Sequence, residues 1–226
     1  HHTIVFQARA GQPDLNCCSV NAARSIGLVG AWAVMKDSEG YLLNWYGPGE
    51  FAADSREHGR LVLRQETGYP LEGRVQVTVV EAPAHSVTIK LRIPRWSKAT
   101  SVRVNGDAVQ DAVPGTYLSV RRSWRAGDRI EVALDLSVHA WVGDRQCLGR
   151  ASLYRGPILL TWDRRYNGTN PDAIPALDGA ALEWKAVRWD HWLAPALLVE
   201  ARTADGKTVR LCDFASAGNG GTPYRT

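Results

Sequence analysis

No stretch of the chain approaches the roughly 20 apolar residues that a membrane-spanning helix requires, so no span of that kind is expected. The N-terminus lacks the charged, apolar and small-residue zones of a signal peptide, and a soluble, cytoplasmic protein is the expectation. Excess charge of one sign is also missing. The 27 basic residues are scattered among 23 acidic ones, which leaves a formal net charge of +4 and no continuous stripe that could track phosphates. Nucleic acid is therefore not an expected partner, and neither is a membrane. The densest basic cluster, Arg121, Arg122 and Arg125, falls where a strand should run into a turn, and it reads as a solvated edge that keeps sheets from pairing with each other.

Cysteine is sparse. Cys17 and Cys18 are neighbours, and α-carbons across a trans peptide lie about 3.8 Å apart, whereas a relaxed disulfide wants roughly 4.4 to 6.8 Å. They are not expected to bond each other. Cys147 and Cys212 sit in apolar, strand-like contexts, where a reduced thiol behaves as a small buried hydrophobe, with a disulfide between them as the alternative.

What is present is an ordinary globular composition, 45% hydrophobic over 226 residues, enough for one large core or two modest ones. Val20, Ala23, Gly27, Ala31 and Val34 recur at helical spacing, and a helix is predicted over Ser19 to Met35 with Ser19 as its cap. Gly27 and Gly30 each cost about 1 kcal/mol in a helix interior, which suggests that another backbone packs closely on that face. After Gly40 the period changes to two. Leu61 and Leu63, Val75 to Val79, Val87 to Ile93, Val102 and Val104, Leu118 and Val120, and Ile130 to Leu136 alternate with polar residues, with turns at Asn105-Gly106 and Ala126-Gly127-Asp128. Short strands without intervening helices describe an antiparallel sandwich. From about His139 further strands are predicted at 152–154, 157–162, 181–189, 196–203 and 207–213, with a hairpin turn at Asp205-Gly206, and they read as a second, smaller sandwich. Ala217 to Pro223 is a glycine-rich tail that need not be ordered unless something ties it down.

Vicinal cysteines at the start of a helix are the feature with the most chemistry in it. Unsatisfied amides there carry partial positive charge and stabilise a thiolate, and a zinc ion deprotonates a coordinating thiol outright. Two thiolates are half of a tetrahedral site, and His58, His85, His139 and His191 are too isolated to supply the other half. On spacing alone, two inert core thiols or a purely structural zinc site remain open. Asp14 could touch a sugar hydroxyl or simply cap the helix. Trp189-Asp190-His191-Trp192 could stack on a sugar or fill a small core. Asn167-Gly168-Thr169 has the form of a glycosylation sequon, and Gly218 to Gly221 lacks the Lys-Ser/Thr ending of a phosphate loop.

The run Asp14-Leu15-Asn16-Cys17-Cys18-Ser19-Val20-Asn21-Ala22-Ala23-Arg24, followed by Gly40-Tyr41-Leu42-Leu43-Asn44-Trp45-Tyr46, resembles the end of the catalytic barrel in the bacterial-type beta-L-arabinofuranosidase family, glycoside hydrolase family 127 and its relatives. Leu91-Arg92-Ile93-Pro94-Arg95-Trp96 with Val104-Asn105-Gly106, Trp124-Arg125-Ala126-Gly127-Asp128, and Tyr154-Arg155-Gly156-Pro157-Ile158-Leu159 are similar to that family's signature in the same order. The resemblance implies a mainly β chain: an N-terminal remnant of an (α/α) barrel over 1–39, a β-sandwich over 40–138 and a second one over 139–226. It implies a hydrolase of arabinofuranose-containing oligosaccharide or a related glycoside, with Cys17 as the nucleophile and Cys17 and Cys18 as zinc ligands. The remaining zinc ligands and the acid/base glutamate would come from a missing N-terminal barrel, so the fragment alone is expected to be inactive and not to retain zinc. A non-catalytic carbohydrate-binding or scaffolding module is the alternative reading.

Overall fold

In the computed structural model the described residues are 16–168, 185–187, 193–203 and 205–226, with side chains described from residue 21 onward apart from Lys185. The chain divides into two compact units, residues 1–135 and 136–226.

The first unit opens with α1 (Asn16–Ala33), which starts three residues before Ser19, so Ser19 lies inside the helix and does not cap it. The helix also ends earlier than Met35. Val34 and Met35 belong to a strand, because the Ala33 carbonyl is taken by the Asn44 N–H at 2.9 Å and helical pairing stops there. The strands that follow are β1 (Val34–Lys36), β2 (Gly40–Leu43), β3 (Gly49–Ser55), β4 (Gly59–Thr67), β5 (Arg74–Glu81), β6 (Val87–Arg92), β7 (Ser101–Val104), β8 (Asp107–Val109), β9 (Tyr117–Arg122) and β10 (Arg129–Ala133). They form a four-stranded sheet in the order β1-β2-β6-β9 and a six-stranded sheet in the order β3-β4-β5-β10-β7-β8.

Period-two alternation decides what lies between the sheets. Tyr41 and Leu43 from β2, Ile89 and Leu91 from β6, and Leu61, Leu63, Val75, Val77, Val79, Ile130 and Val132 from the other sheet form one buried cluster. Truncating any one of these leucines to alanine would cost on the order of 2–5 kcal/mol. One pairing departs from the antiparallel expectation: β2 runs parallel to β6, with Gly40 opposite Thr88. A Cβ on Gly40 would sit 2.2 Å from the Thr88 carbonyl oxygen, so only glycine lets the two backbones come this close.

The second unit contains β11 (Val138–Val142), β12 (Ala151–Arg155), β13 (Ile158–Asp163), the short helix α2 (Arg164–Asn167), β14 (Lys185–Ala186), β15 (Leu198–Arg202), β16 (Thr208–Asp213) and β17 (Tyr224–Arg225). Among the described residues these strands join a single antiparallel sheet, β11-β12-β13-β16-β15-β14, with β17 added beside β13. Alternation gives it two apolar faces. Leu160, Trp162, Val199, Val209 and Leu211 cluster on one, and Leu198 and Cys212 join Tyr166 and Ala217 in a second cluster. Cys212 is a buried thiol as expected, and Cys147 is not. Cys147 ends a one-turn 3-10 helix, Arg145–Cys147, is exposed, and like Cys212 is unbonded. Its three-residue apolar context was too short to show alternation, and Gly149, with φ of 79°, turns the chain just beyond it.

Candidate functional site

Helix α1 is the element on which the sequence places its chemistry. Cys17 and Cys18 occupy its second and third positions, within the turn whose backbone N–H groups have no partner inside the helix. No acidic residue shares that first turn, so nothing on the helix offsets the partial positive charge the amides carry there. The side chains of the two cysteines, and Asp14 altogether, lie outside the described residues.

The opposite end is held in an unusual way. Helices commonly stop with a left-handed glycine whose N–H groups return to the last carbonyls, but no such residue follows Ala33 before Gly40. The donors come instead from residues 44 and 45. The Asn44 N–H donates to the Ala33 carbonyl at 2.9 Å, the Asn44 side-chain amide to the Trp32 carbonyl at 3.2 Å, and the Trp45 indole N–H to the Val29 carbonyl at 2.7 Å. Asn44 is itself fixed. The Tyr117 hydroxyl donates to its Oδ1 at 2.6 Å, and Arg92 reaches its carbonyl at 3.4 Å. The Trp45 ring meets Phe51 edge to face at 5.7 Å and lies over Gly47, where a Cβ would fall 1.9 Å from the indole. The sequence singled out Asn44 and Trp45 as part of a motif but assigned them no role, because their partners lie on a helix and strands that only the fold brings together.

Between these ends α1 is open. Nothing approaches within 4 Å of a Cβ built on Gly27 or Gly30, and Ile26, Val29 and Trp32 are 76%, 41% and 46% exposed. The close-packed backbone anticipated at the two glycines is absent among the described residues.

The other candidates resolve into structural roles. His58 Nε2 lies 2.9 Å from the Asp37 carbonyl, and its ring meets Tyr41 edge to face. His139 stacks on Tyr154 at 5.6 Å. Both ends of the Asn167 amide are occupied: Nδ2 donates to the Asp163 and Arg210 carbonyls, and Oδ1 accepts the Arg210 N–H at 2.8 Å. A polar cavity of about 640 Å³ near His58, His85, Thr88 and Arg121 has no Phe, Tyr or Trp among its lining residues. Arg121 and Arg122 lie on β9, an outer strand of the four-stranded sheet, and the Arg122 guanidinium covers the Trp124 ring at 5.2 Å, in keeping with a solvated edge. Trp189 to Trp192 lie outside the described residues. No group of three or more His, Cys, Asp or Glu that could hold a metal ion occurs among the described residues.

The remaining motifs prove architectural. Asn105 and Gly106 take φ of 52° and 92° in the turn between β7 and β8, and the Asn105 side chain donates to Asp128 Oδ1 at 2.9 Å while accepting the Arg129 N–H at 2.8 Å. Burial is the largest single influence on the Asp128 carboxyl and pushes its pKa up. The hydrogen bonds from Asn105 and the Arg125 N–H, with the nearby guanidinium of Arg122, outweigh it and hold the pKa below the usual range. Trp124 is buried and donates its indole N–H to the Val87 carbonyl at 3.0 Å. Gly156-Pro157 forms the two-residue loop of the β12-β13 hairpin.

Comparison with known proteins gives these observations a family context. Residues 40–136 match a family model described as beta-L-arabinofuranosidase, GH127 middle domain. No curated protein sequence matches. A solved glycoside hydrolase is 25% identical with a TM-score of 0.78, over 99% of this chain and 42% of that one. A GH127 beta-L-arabinofuranosidase from Geobacillus stearothermophilus T6 is 23% identical with a TM-score of 0.77, over 92% and 36%, and a further GH127 beta-arabinofuranosidase is 22% identical with a TM-score of 0.78, over 92% and 37%. The chain thus spans roughly two fifths of the length of these structures. No helix among the described residues is long and apolar enough to cross a membrane. The resemblance drawn from the motifs holds: residues 40–136 match the middle-domain model of the beta-L-arabinofuranosidase family, and the mainly β fold is similar to that of the solved GH127 enzymes.

Proposed function

We propose that this chain is the C-terminal part of a retaining glycoside hydrolase that acts on arabinofuranose-containing oligosaccharide or a related glycoside, with Cys17 as its nucleophile. The observation that carries the reading is the direct junction between a helix bearing vicinal cysteines in its first turn and a sandwich that matches the middle domain of this enzyme family.

A retaining glycosidase needs a nucleophile on one face of the sugar and a proton donor on the other, and usually both are carboxyl groups. Here the Cys17 thiolate takes the place of one. Its sulfur attacks the anomeric carbon as the bond to the leaving oxygen breaks, and that oxygen takes a proton from an acid supplied by sequence outside this chain. Water then displaces the Cys17 sulfur from the sugar as thiolate and gives its proton to the group that had acted as acid, which restores both. The partial positive charge of the first turn of α1 favours the thiolate over the thiol. Adjacent cysteines fit two of the four ligands of a tetrahedral zinc site, so Cys17 and Cys18 would hold the metal with ligands from the rest of the protein. A zinc ion bound there would keep both thiols ionised near neutral pH. With two ligands and no acid, this chain by itself would neither turn over glycoside nor retain zinc. The open face of α1, with Ile26 and Trp32 exposed, is where the rest of a helical barrel would pack.

The test is hydrolysis of an aryl beta-L-arabinofuranoside by the full-length enzyme beside its Cys17→Ser variant. Loss of turnover in the variant, with its fold retained by circular dichroism, supports the reading. Unchanged turnover removes Cys17 from the mechanism. Saturable binding of arabino-oligosaccharide by residues 40–226 alone would instead favour a carbohydrate-binding module.

A further inference from the structure

We infer that Asn44 and Trp45 are positioning residues for the cysteine-bearing turn: they fix the axial position and rotation of α1 from its C-terminal end, and Tyr117 and Gly47 hold the pair in place. The inference rests on the reading of Cys17 given above and adds to it the part of the β-sandwich that aims the helix.

The argument begins with an absence. A helix that passes straight into a strand without a left-handed cap leaves its last carbonyls without partners, and such groups must be met by other donors. Three carbonyls in this stretch of α1, those of Val29, Trp32 and Ala33, accept from two consecutive residues. Val29 lies nearly one turn before Trp32 and Ala33, so the contacts grip the helix at two levels and oppose both sliding and rotation about its axis. Neither gripping residue is free to follow the helix. Asn44 follows β2 directly, and its side-chain oxygen is held by the Tyr117 hydroxyl on β9, two strands away across the same sheet. Trp45 is confined between Phe51 and the space left by Gly47.

The geometry turns this grip into leverage. From Ala33 back to Cys17 the helix runs about 24 Å at 1.5 Å per residue. A tilt of about 2.5° at the held end displaces the far end by about 1 Å, and a misplacement of that size is enough to cost on the order of 100-fold in rate. The rest of the described surface of α1 is open, so within this chain the 44–45 pair is what orients it. The sandwich next to the cysteine helix then acts as the mount of the nucleophile as well as a following domain.

The experiment uses Trp45→Phe, which removes one donor and keeps the ring over Gly47, and Asn44→Ala, which removes the side-chain bonds to Trp32 and Tyr117 and keeps the backbone N–H. Two measurements are made on each. In the 226-residue chain, amide hydrogen exchange over residues 25–33 should speed up several-fold while exchange in β4, β5 and β10 stays unchanged. In the full-length enzyme, kcat for an aryl beta-L-arabinofuranoside should fall about 10- to 100-fold with KM within about 2-fold. A residue with a merely structural role would lower the unfolding temperature and leave kcat alone. Unaltered exchange over α1 in both variants, or wild-type kcat in both, overturns the inference. Cys17→Ser, run alongside, separates the two claims. If it keeps turnover, the reading of Cys17 fails, and the grip on α1 is judged by hydrogen exchange alone.

Discussion

The Gly218 N–H donates to the Asp163 carboxylate at 2.7 Å, across fifty-five positions of sequence, and ties the glycine-rich tail to the end of β13. Asp163 is fully buried. Its carboxylate also accepts the Arg165 N–H at 2.8 Å, the Arg165 guanidinium at 3.1 Å and the Thr222 hydroxyl at 2.9 Å, and Arg165 in turn donates to the Ser216 carbonyl at 2.7 Å. A tail that composition alone would leave loose is therefore closed around a single carboxylate.

Removing that charge should open the tail. Asp163→Asn keeps the shape but replaces one acceptor oxygen with a donor that faces donors, and Asp163→Ala leaves the Arg165 guanidinium, whose side chain is 15% exposed, without its carboxylate and with backbone carbonyls as its remaining partners. Losses of about 2–4 kcal/mol are expected for the first and about 3–5 kcal/mol for the second. Amide exchange at Gly218 and urea unfolding of the chain check this. Wild-type protection at Gly218 in the asparagine variant would show that the carboxylate does not hold the tail.

The same carboxylate makes stability depend on acid. Burial is the largest single influence on Asp163 and raises its pKa, but the bonds from the Arg165 side chain and N–H, the Gly218 N–H and the Thr222 hydroxyl together bring it below the usual range. A folded pKa below the unfolded value means that the unfolded chain binds the proton more readily. The contribution is thus complete above about pH 4 and is lost as pH falls through the folded pKa. Asp37, lowered chiefly by its bond to Lys90, acts in the same direction. Urea midpoints should fall from pH 5 to pH 2 for the wild type, and the gap between wild type and Asp163→Asn should narrow over that range. A gap that stays constant would remove Asp163 from the acid response.

Local patterns were legible and long-range ones were not. Alternation located the core of the first unit residue by residue, because Val75, Val77 and Val79 declare a buried face without reference to any partner. The parallel pairing of β2 with β6 was not legible, since Gly40 and Thr88 meet only after the intervening hairpins have formed. Gly40 is legible only as the point after which the period changes, and its close backbone approach leaves no sequence mark. Asp163 drew no notice because no helix is predicted after it, whereas in the structure it also caps α2. At α1 the sequence identified Cys17 and Cys18 but not the device at the other end, as Asn44 and Trp45 acquire their function from carbonyls on another element.

Gly40→Ala tests the close approach of β2 and β6. The new methyl would meet the Thr88 carbonyl oxygen at 2.2 Å, and the backbone φ of 154° is one that side chains rarely adopt. Backbone, not a flexible side chain, must move to relieve the clash, so a loss of more than about 2 kcal/mol is expected, with increased exchange at the amides of β2 and β6. A variant as stable as the wild type would mean that the two strands can separate without cost.

The two described cysteines should separate in reactivity. Burial, followed by the nearby charges of Asp163 and Asp213, pushes the Cys212 thiol up to about 12, so at pH 8 almost none of it is thiolate. It also has no exposed surface through which a reagent could reach it, whereas Cys147 is exposed. Iodoacetamide added to the native chain at pH 8 should alkylate Cys147 within minutes and leave Cys212 unmodified, and peptide mapping reads each site apart from Cys17 and Cys18. In concentrated urea, Cys212 should react nearly as fast as Cys147, because unfolding removes its burial and takes Asp163 away, leaving only Asp213 beside it in sequence. Comparable labelling of both residues in the native chain would mean that the sheet face around Cys212 opens on the timescale of the reaction, and that the cluster of Tyr166, Leu198 and Ala217 does not seal it.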